Sequence, residues 1–411
     1  MKICIAQTKA LKGNVQKNIR NHLLWIEYAA ELNADLIIFP ELSLTGYEPQ
    51  LAKGLAVKLE DKIFNLFQEY SIKLNITIGV GMPIIAKNGI NISLLIFQPN
   101  TQSIAYSKQR LHTDELPYFT CGTSQLFLTI KGQKIAFGIC YETLQTEHFL
   151  FANQNETDIY IASVAKSKDG IEKAYSHFPK MANQFKTPIL MSNSVGYCDN
   201  FMGAGNSAVW DKNGNLLRQL DDENQGILVY DTQLETTKIH QLKIEKGRLS
   251  DLEPIFKIYL NAKHELEKKG IYQWTDQYPT KSIIESDLQK GVLYMLKYGN
   301  KIIGAINLSE EQEKEYQTVK WRFNHSKALV IHRLVINPKH QGLGYAQKSM
   351  AFAENFARKM GYSSIRLDAY SYNKRVIDFY QKRNYVIRGD VNFPGRKYVF
   401  HCMEKEIVNS L

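Results

Sequence analysis

Short apolar runs alternate with longer segments in which apolar residues return every three or four positions. Residues 2–6 alternate as a strand does. Over 14–32, Ile19, Leu23, Ile26 and Ala30 recur at helical spacing behind Asn14, a candidate N-cap. Residues 35–39 read as a buried strand, and 59–74 as a helix with Ile63, Leu66, Phe67 and Tyr70 on one face. The strand at 76–82 reads as broken by Gly79 and Gly81. Two hairpins follow: 91–97 with 102–107 around Pro99-Asn100, and 126–130 with 134–140 around Gly132. Further strands are expected at 159–164, 189–195, 208–210 and 226–230, with a hairpin turn at 211–215. Helices interleaved with strands, some of them paired as hairpins, predict an α/β layered fold with a mixed sheet.

The second half starts a new pattern. Residues 235–240 are polar and read as a linker between domains at 1–234 and 241–411. A strand at 241–245 precedes a helix at 250–268, with Ser250 and Glu253 spaced as a capping box. A hairpin is expected at 292–298 and 301–308 around Gly299-Asn300, and the charge run 310–315 reads as a solvated loop. The apolar strand 328–336 runs into a glycine-bearing turn and then a helix to about residue 360. A strand at 365–369, a helix at 374–383 and a hairpin beginning at Tyr385 complete the chain.

Composition narrows the class. With 411 residues, 44% hydrophobic and 22% charged, the chain suits a soluble protein of two domains. The first residues enter a strand directly, so no signal peptide is expected, and no apolar run is long enough to span a membrane. The cysteines at 4, 121, 140, 198 and 402 are odd in number, scattered and without a C-x-x-C pair. They suggest neither a disulfide framework nor a metal site, and a cytoplasmic location fits. Lys and Arg number 22 against 23 Asp and Glu through His240, but 29 against 18 thereafter. The basic excess therefore belongs to the second half. It suits a polyanion there, either nucleic acid or a phosphorylated cofactor, or simply a solvated basic face.

Three strand ends carry the chemistry of the first half. Glu41 follows the apolar run 36–39, Lys108 follows 104–107, and Cys140 ends 134–140. Cys140 alone would read as a small core residue. A carboxylate and an ammonium at neighbouring strand ends make it a candidate nucleophile instead. The ordered set Phe39-Pro40-Glu41-Leu42, Tyr106-x-Lys108-x-x-Leu111 and Gly138-Ile139-Cys140-Tyr141-Glu142 resembles the carbon–nitrogen hydrolase (nitrilase) superfamily, as do Asn193-Ser194-Val195-Gly196 and Gly203-x-Gly205-x-Ser207. The resemblance implies an α-β-β-α sandwich, often a homodimer or higher homo-oligomer. It makes Glu41 the general base, Cys140 the nucleophile, and Lys108 with the Tyr141 backbone N–H the holders of the developing oxyanion. It places a second active-site glutamate at Glu115, which otherwise reads as a loop charge. Glu142 is expected on the nucleophile's strand face in support of the site. His112 and His177 read as loop or packing residues; Lys166 and Lys168 could meet an acidic substrate group but read rather as solvated lysines. The three groups do not separate amidase, nitrilase and carbamoylase, nor water from an amine as the acyl acceptor.

The turn Gln341-Gly342-Leu343-Gly344-Tyr345-Ala346, between strand and helix, has the form of a phosphate cradle. With Asp368-x-x-Ser371-x-Asn373 and Phe379-Tyr380-x-x-x-Asn384-Tyr385, the second half resembles the GNAT N-acetyltransferases, small mixed α/β domains that bind acetyl-CoA. The resemblance carries the pantetheine arm to Leu334 and Val335, the pyrophosphate to residues 341–346, a cofactor contact to Asn373 and the acid role to Tyr380. A bound coenzyme would account for the basic excess without nucleic acid. The expected protein is a bifunctional enzyme acting on small amides and amines, needing acetyl-CoA and no metal, with one half as an acetyl-CoA sensor the competing reading.

Overall fold

The computed structural model describes residues 1–299, 301–323 and 327–408; of the expected Gly299-Asn300 turn, Asn300 lies outside them. The chain divides into two compact units, Met1–Gln241 and Leu242–Leu411.

In the first unit two sheets face each other. One runs, in hydrogen-bonded order, from 236–241 through Gly226–Asp231, Lys2–Gln7, Leu36–Ile38, Thr77–Ala86 and Gly89–Phe97 to Ile104–Ser107. The other runs from Leu216–Gln219 through Ala208–Trp210, Ile189–Asn193, Ile159–Val164 and Gln133–Ile139 to Phe127–Ile130. Ile3, Ile5, Leu36 and Leu94 of the first sheet pack with Phe137, Ile161, Leu190 and Val209 of the second in one buried cluster. Helices cover the outer faces. Phe67 of Asn65–Leu74 stacks on Phe97, and Phe149, Ala174 and Phe178 of Thr146–Gln154 and Lys168–Phe185 cover Tyr160 and Ala162. This is the α-β-β-α sandwich. Leu36–Ile38 is buried on both faces, which is why its sequence is an unbroken apolar run rather than an alternating one.

Two expectations need correction. The strand expected to break at Gly79 and Gly81 is continuous over Thr77–Ala86. A Cβ at Gly81 would lie 2.3 Å from Leu42 N and 2.5 Å from Pro40 O, so this glycine lets the Pro40–Leu42 backbone cross the strand closely. The polar stretch 235–240 is not a free linker either, because Thr236–Lys246 is one strand, registered from Asp231↔Thr236 to Gly226↔Gln241. Its polar side chains hid it: a strand needs backbone pairing, and only a few of its side chains contact the unit, as where Tyr28 OH lies 2.9 Å from His240 Nδ1.

The second unit is a mixed sheet in the order 242–246, Leu293–Tyr298, Lys301–Ser309, Ala328–Ile336, Ser364–Tyr370, Phe400–Glu406 and Val386–Val391. Alternation along its strands feeds two cores. Met295, Ala305 and Val335 meet Ile255, Tyr259, Ile284 and Leu288 of the helices Leu252–Glu267 and Lys281–Gln289. On the other face Tyr294, Ile306 and Ile331 meet Met350, Ala353, Ile377 and Tyr380 of Tyr345–Lys359 and Lys374–Gln381. The expected capping box at Ser250 and Glu253 does not form. The Arg248 N–H instead donates to Asp251 Oδ2 at 2.9 Å, and Glu253 pairs with Lys281. Among the described residues of this unit the only parallel pairing ends at Ile331↔Leu367. Beyond it Arg333 takes φ +47°, the neighbouring ladder slips between Ala305 and Asn307, and the strands part. No helix among the described residues is long and apolar enough to cross a membrane.

The Gly81 crossing yields a test. Gly81→Ala should cost about 1–3 kcal/mol in denaturant unfolding, because backbone rather than a flexible side chain must yield. Gly54→Ala, with nothing within 4 Å of its Cβ, should change stability by no more than about 0.5 kcal/mol.

Candidate active site

Glu41 sits two residues beyond Phe39, whose N–H donates to Gly79 O at 2.9 Å, and its side chain is fully buried. Lys108 is anchored by its own N–H to Ile92 O at 2.8 Å and by Gly122 N–H to its carbonyl at 2.7 Å. Its ammonium lies 2.7 Å from Glu41 Oε1 and 2.6 Å from Glu115 Oε1, with all three side chains out of water. Glu115 is no surface-loop charge. Tyr47 OH donates to its Oε1 at 3.0 Å and His112 N–H to its Oε2 at 2.8 Å. Burial works against the Lys108 charge, but the two carboxylates outweigh it and its pKa is raised. Glu41 is raised as well, first by burial and then by Glu115, against the pull of Lys108. Among the described residues no donor reaches its Oε2.

Cys140 follows the strand Gln133–Ile139 and opens a tight 3-10 turn, Cys140–Leu144. Its φ of +45° is costly for a residue with a side chain, about 1–3 kcal/mol, and marks a turn held by its surroundings. Glu142 does much of the holding. It does not share a strand face with Cys140, because the chain has already turned. Its Oε1 accepts from Ile139 N–H at 2.7 Å and Tyr106 OH at 2.5 Å, and its Oε2 accepts from Gln109 N–H at 2.7 Å. One carboxylate thus ties the nucleophile's turn to the segment that carries Lys108. A Cβ at Gly138 would fall 2.1 Å from Tyr160 OH, so the glycine before the nucleophile is a packing requirement.

The thiol donates to Ala165 O at 3.6 Å, and the Glu41, Lys166 and Lys108 charges all act on it. Burial, reinforced by Glu41, pushes the Cys140 thiol up to about 11, against Lys166 and Lys108. These influences favour the neutral thiol over the thiolate. Lys166 corrects the expectation of a solvated lysine. It is not solvated: it is 4% exposed, its Nζ donates to Cys140 O at 3.3 Å and it lies 3.9 Å from Cys140 Sγ. A lysine directly after the strand Ile159–Val164 was the available signal, and nothing in the sequence placed it against the nucleophile. Of the histidines, His112 pairs with Asp114, and His177 packs edge-on to Phe149.

In the second unit the parted strands open a cavity of about 1070 Å³. Leu334, Val335, Gln341, Gly342, Gly344, Tyr345, Ala346, Asn373 and Tyr380 all line it; Leu343 does not. Gly342 and Gly344 take φ +83° and +87°, and no atom lies within 4 Å of where a Cβ would stand. Gly344 starts the helix Tyr345–Lys359 without a side-chain cap, which leaves backbone N–H groups facing an open cradle. These features fit a phosphate-bearing coenzyme. The Tyr345 side chain turns inward to meet Tyr298 OH at 2.6 Å, so its part in the cradle is its backbone. Asn373 Nδ2 is engaged by Gln273 Oε1 at 2.7 Å. The charge run does not stay wholly in solvent, since Glu313 reaches the cavity wall. Asp368 lines the same wall and accepts from Tyr316 OH at 2.7 Å; burial is the main cause that pushes it up to about 6. Arg333 is held by Asp287 at 2.7–3.0 Å and by Tyr278 OH at 2.9 Å.

The carbon–nitrogen hydrolase family matches residues 2–239, and the acetyltransferase (GNAT) family matches residues 255–385. A glutamine-dependent NAD(+) synthetase of Thermotoga maritima is 23% identical over 308 residues, covering 71% of this chain and 48% of that protein. The chain thus spans about half the length of that relative, or less of the synthetase from Aquifex aeolicus, where 29% identity covers 34% of this chain and 25% of the relative. A probable nitrilase of Schizosaccharomyces pombe is 23% identical over 55% of this chain and 86% of its own. Among solved structures, an amidase from Nesterenkonia sp. AN1 superposes with a TM-score of 0.53 at 21% identity, over 57% of this chain and 92% of its own, in a mutant form in complex with butyramide. That likeness concerns the fold. The chain belongs to the carbon–nitrogen hydrolase family and carries a GNAT acetyltransferase domain after it.

Proposed function

We propose that the first unit hydrolyses the C–N bond of a small primary amide through an acyl–Cys140 intermediate. The observation that carries this reading is the buried Lys108 bracketed by Glu41 and Glu115 next to a thiol on a strained turn. Glu41 Oε2 takes the thiol proton as sulfur attacks the carbonyl carbon, and the C=O electron pair moves to oxygen. Lys108 is one donor for that oxyanion, and the Tyr141 N–H is the other. The C–N bond then breaks, and the proton on Glu41 passes to the departing ammonia. Water, deprotonated by Glu41, adds to the thioester and frees Cys140. The names of the relatives, an amidase and glutamine-dependent synthetases, support an amide over a nitrile as the substrate.

For the second unit we propose acetyl transfer to a small amine, with acetyl-CoA supplying the activated acetyl thioester. Residues 341–346 would hold its phosphates, and the free edge at Leu334 and Val335 its pantetheine arm. Asp368 removes the proton from the incoming ammonium, and Glu313 on the same wall favours a cationic acceptor. Tyr380 is the proton donor, its hydroxyl raised by burial and by Asp368 and so protonated at neutral pH.

Cys140→Ala should abolish ammonia release from amides and leave acetyl transfer intact, whereas Tyr380→Phe should lower acetyl transfer by about 10²–10⁴-fold and spare amide turnover. The two assays, run on one preparation of each variant, check both. Because Glu41 is raised and must be ionised to act, kcat/KM for the amide should fall with decreasing pH along a limb above the ordinary carboxylate range. Glu41→Gln should remove the limb together with the activity. Acetyl transfer should show an acid limb near pH 6, where Asp368 loses its base form, and Asp368→Asn should eliminate that limb.

A further inference from the structure

In the site of the first unit two lysines stand with the carboxylates Glu41 and Glu115, yet both carboxylates pair with the same lysine. Lys108 is committed to two carboxylates at 2.6–2.7 Å. Lys166 is buried, and its side-chain contacts among the described residues are the Cys140 carbonyl and thiol; no carboxylate pairs with it. Its backbone is fixed as firmly as those of the other site residues. The Lys166 N–H donates to Asn193 Oδ1 at 2.8 Å, and its carbonyl accepts from Ala204 N–H at 2.9 Å and Asn193 Nδ2 at 3.3 Å. Holding a long side chain of full charge against a sulfur atom, out of water, costs desolvation that only an anion can offset.

The anion is formed by the reaction. When the proton leaves Cys140 for Glu41, Glu41 becomes neutral, Glu115 and Lys108 cancel, and the new charge on sulfur has Lys166 as its sole unspent counterion. His177, which neighbours Lys166, does not supply that charge. Burial, then Lys180 and Lys166, lower it below its ordinary range and keep it neutral. We propose that Lys166 is a catalytic residue of the amide reaction: its ammonium, 3.9 Å from Cys140 Sγ, is the counterion of the thiolate and then of the tetrahedral oxyanion built on it. The inference rests on the amidase reading above. Lys108 then holds the two glutamates, Glu41 the base among them, and donates to the oxyanion, while Lys166 balances the charge that moves.

The test reads the sulfur directly and needs no substrate. Alkylation of Cys140 by neutral iodoacetamide is followed by peptide mass spectrometry between pH 7 and 9, with exposed Cys121 as the internal reference. Below its midpoint the rate follows the thiolate fraction. Lys166→Met should slow Cys140 relative to Cys121 by at least about tenfold, since an opposite charge at this distance moves a pKa by roughly 1–3. Lys166→Arg should retain most of the rate, and kcat for amides should fall in parallel in the Met variant. A side chain that merely packed would, once removed, leave the relative alkylation rate unchanged or raise it, and that result overturns the proposal. So does unaltered alkylation with KM raised only for amides bearing a carboxylate, which would make Lys166 a clamp for substrate charge. Loss of the amidase reading itself would show separately, as ammonia release that survives Cys140→Ala.

Discussion

A buried ammonium between two buried carboxylates is the constraint around which the first unit is arranged. Lys108 could not stay charged and dry without Glu41 and Glu115, and neither glutamate could stay where it is without Lys108. Glu41 follows one strand, and Lys108 and Glu115 share the segment after another, so forming the cluster fixes two loops at once. Two glycines and one further glutamate make that convergence possible. Gly81 lets the Glu41 segment cross its strand, Gly138 clears Tyr160 beneath the nucleophile, and Glu142 binds the nucleophile's turn to the Lys108 segment. The cluster also shapes the chemistry. Burial and Glu115 raise Glu41, while Lys108 pulls it back down.

The two units build their candidate sites with different kinds of order. In the first unit the reacting groups are side chains on strand ends, stapled by short hydrogen bonds. In the second, the working feature is a gap: two parallel strands pair for four residues and then separate around an Arg333 of positive φ. That gap exposes backbone that the sheet would otherwise consume. The half-buried carboxylate Asp368 and the hydroxyl-bearing Tyr380, on successive elements, both line it. The basic excess of the second half is consistent with a phosphate-bearing ligand held by an uncapped helix start rather than with a charged patch reading nucleic acid.

Most of the architecture was legible from periodicity, because both units bury one face of nearly every strand. Glu41, Lys108 and Cys140 were legible because charged or reactive residues closed apolar runs. What the sequence hid has physical causes. Gly79 and Gly81 looked like strand breakers because a glycine needed for close approach carries no mark distinguishing it from one that breaks. The strand Thr236–Lys246 looked like a linker because its stability lies in the backbone. The helix Lys281–Gln289 went unread although Thr280 caps it, its side chain accepting from Ile283 N–H at 3.4 Å. Lys166 was invisible for a different reason. Its proximity to Cys140 is set by the parallel pairing of Gln133–Ile139 with Ile159–Val164, a contact between residues 26 apart that no local pattern reports.

The central claim is that the cluster around Lys108 makes Cys140 the atom that carries the acyl group. It is tested most directly by quenching amide turnover in acid within milliseconds and measuring the mass of each cysteine peptide. The account predicts one acyl group per chain on the Cys140 peptide, absent in Lys108→Met. Turnover with an unmodified Cys140 peptide, or an adduct that forms equally well without Lys108, would contradict it.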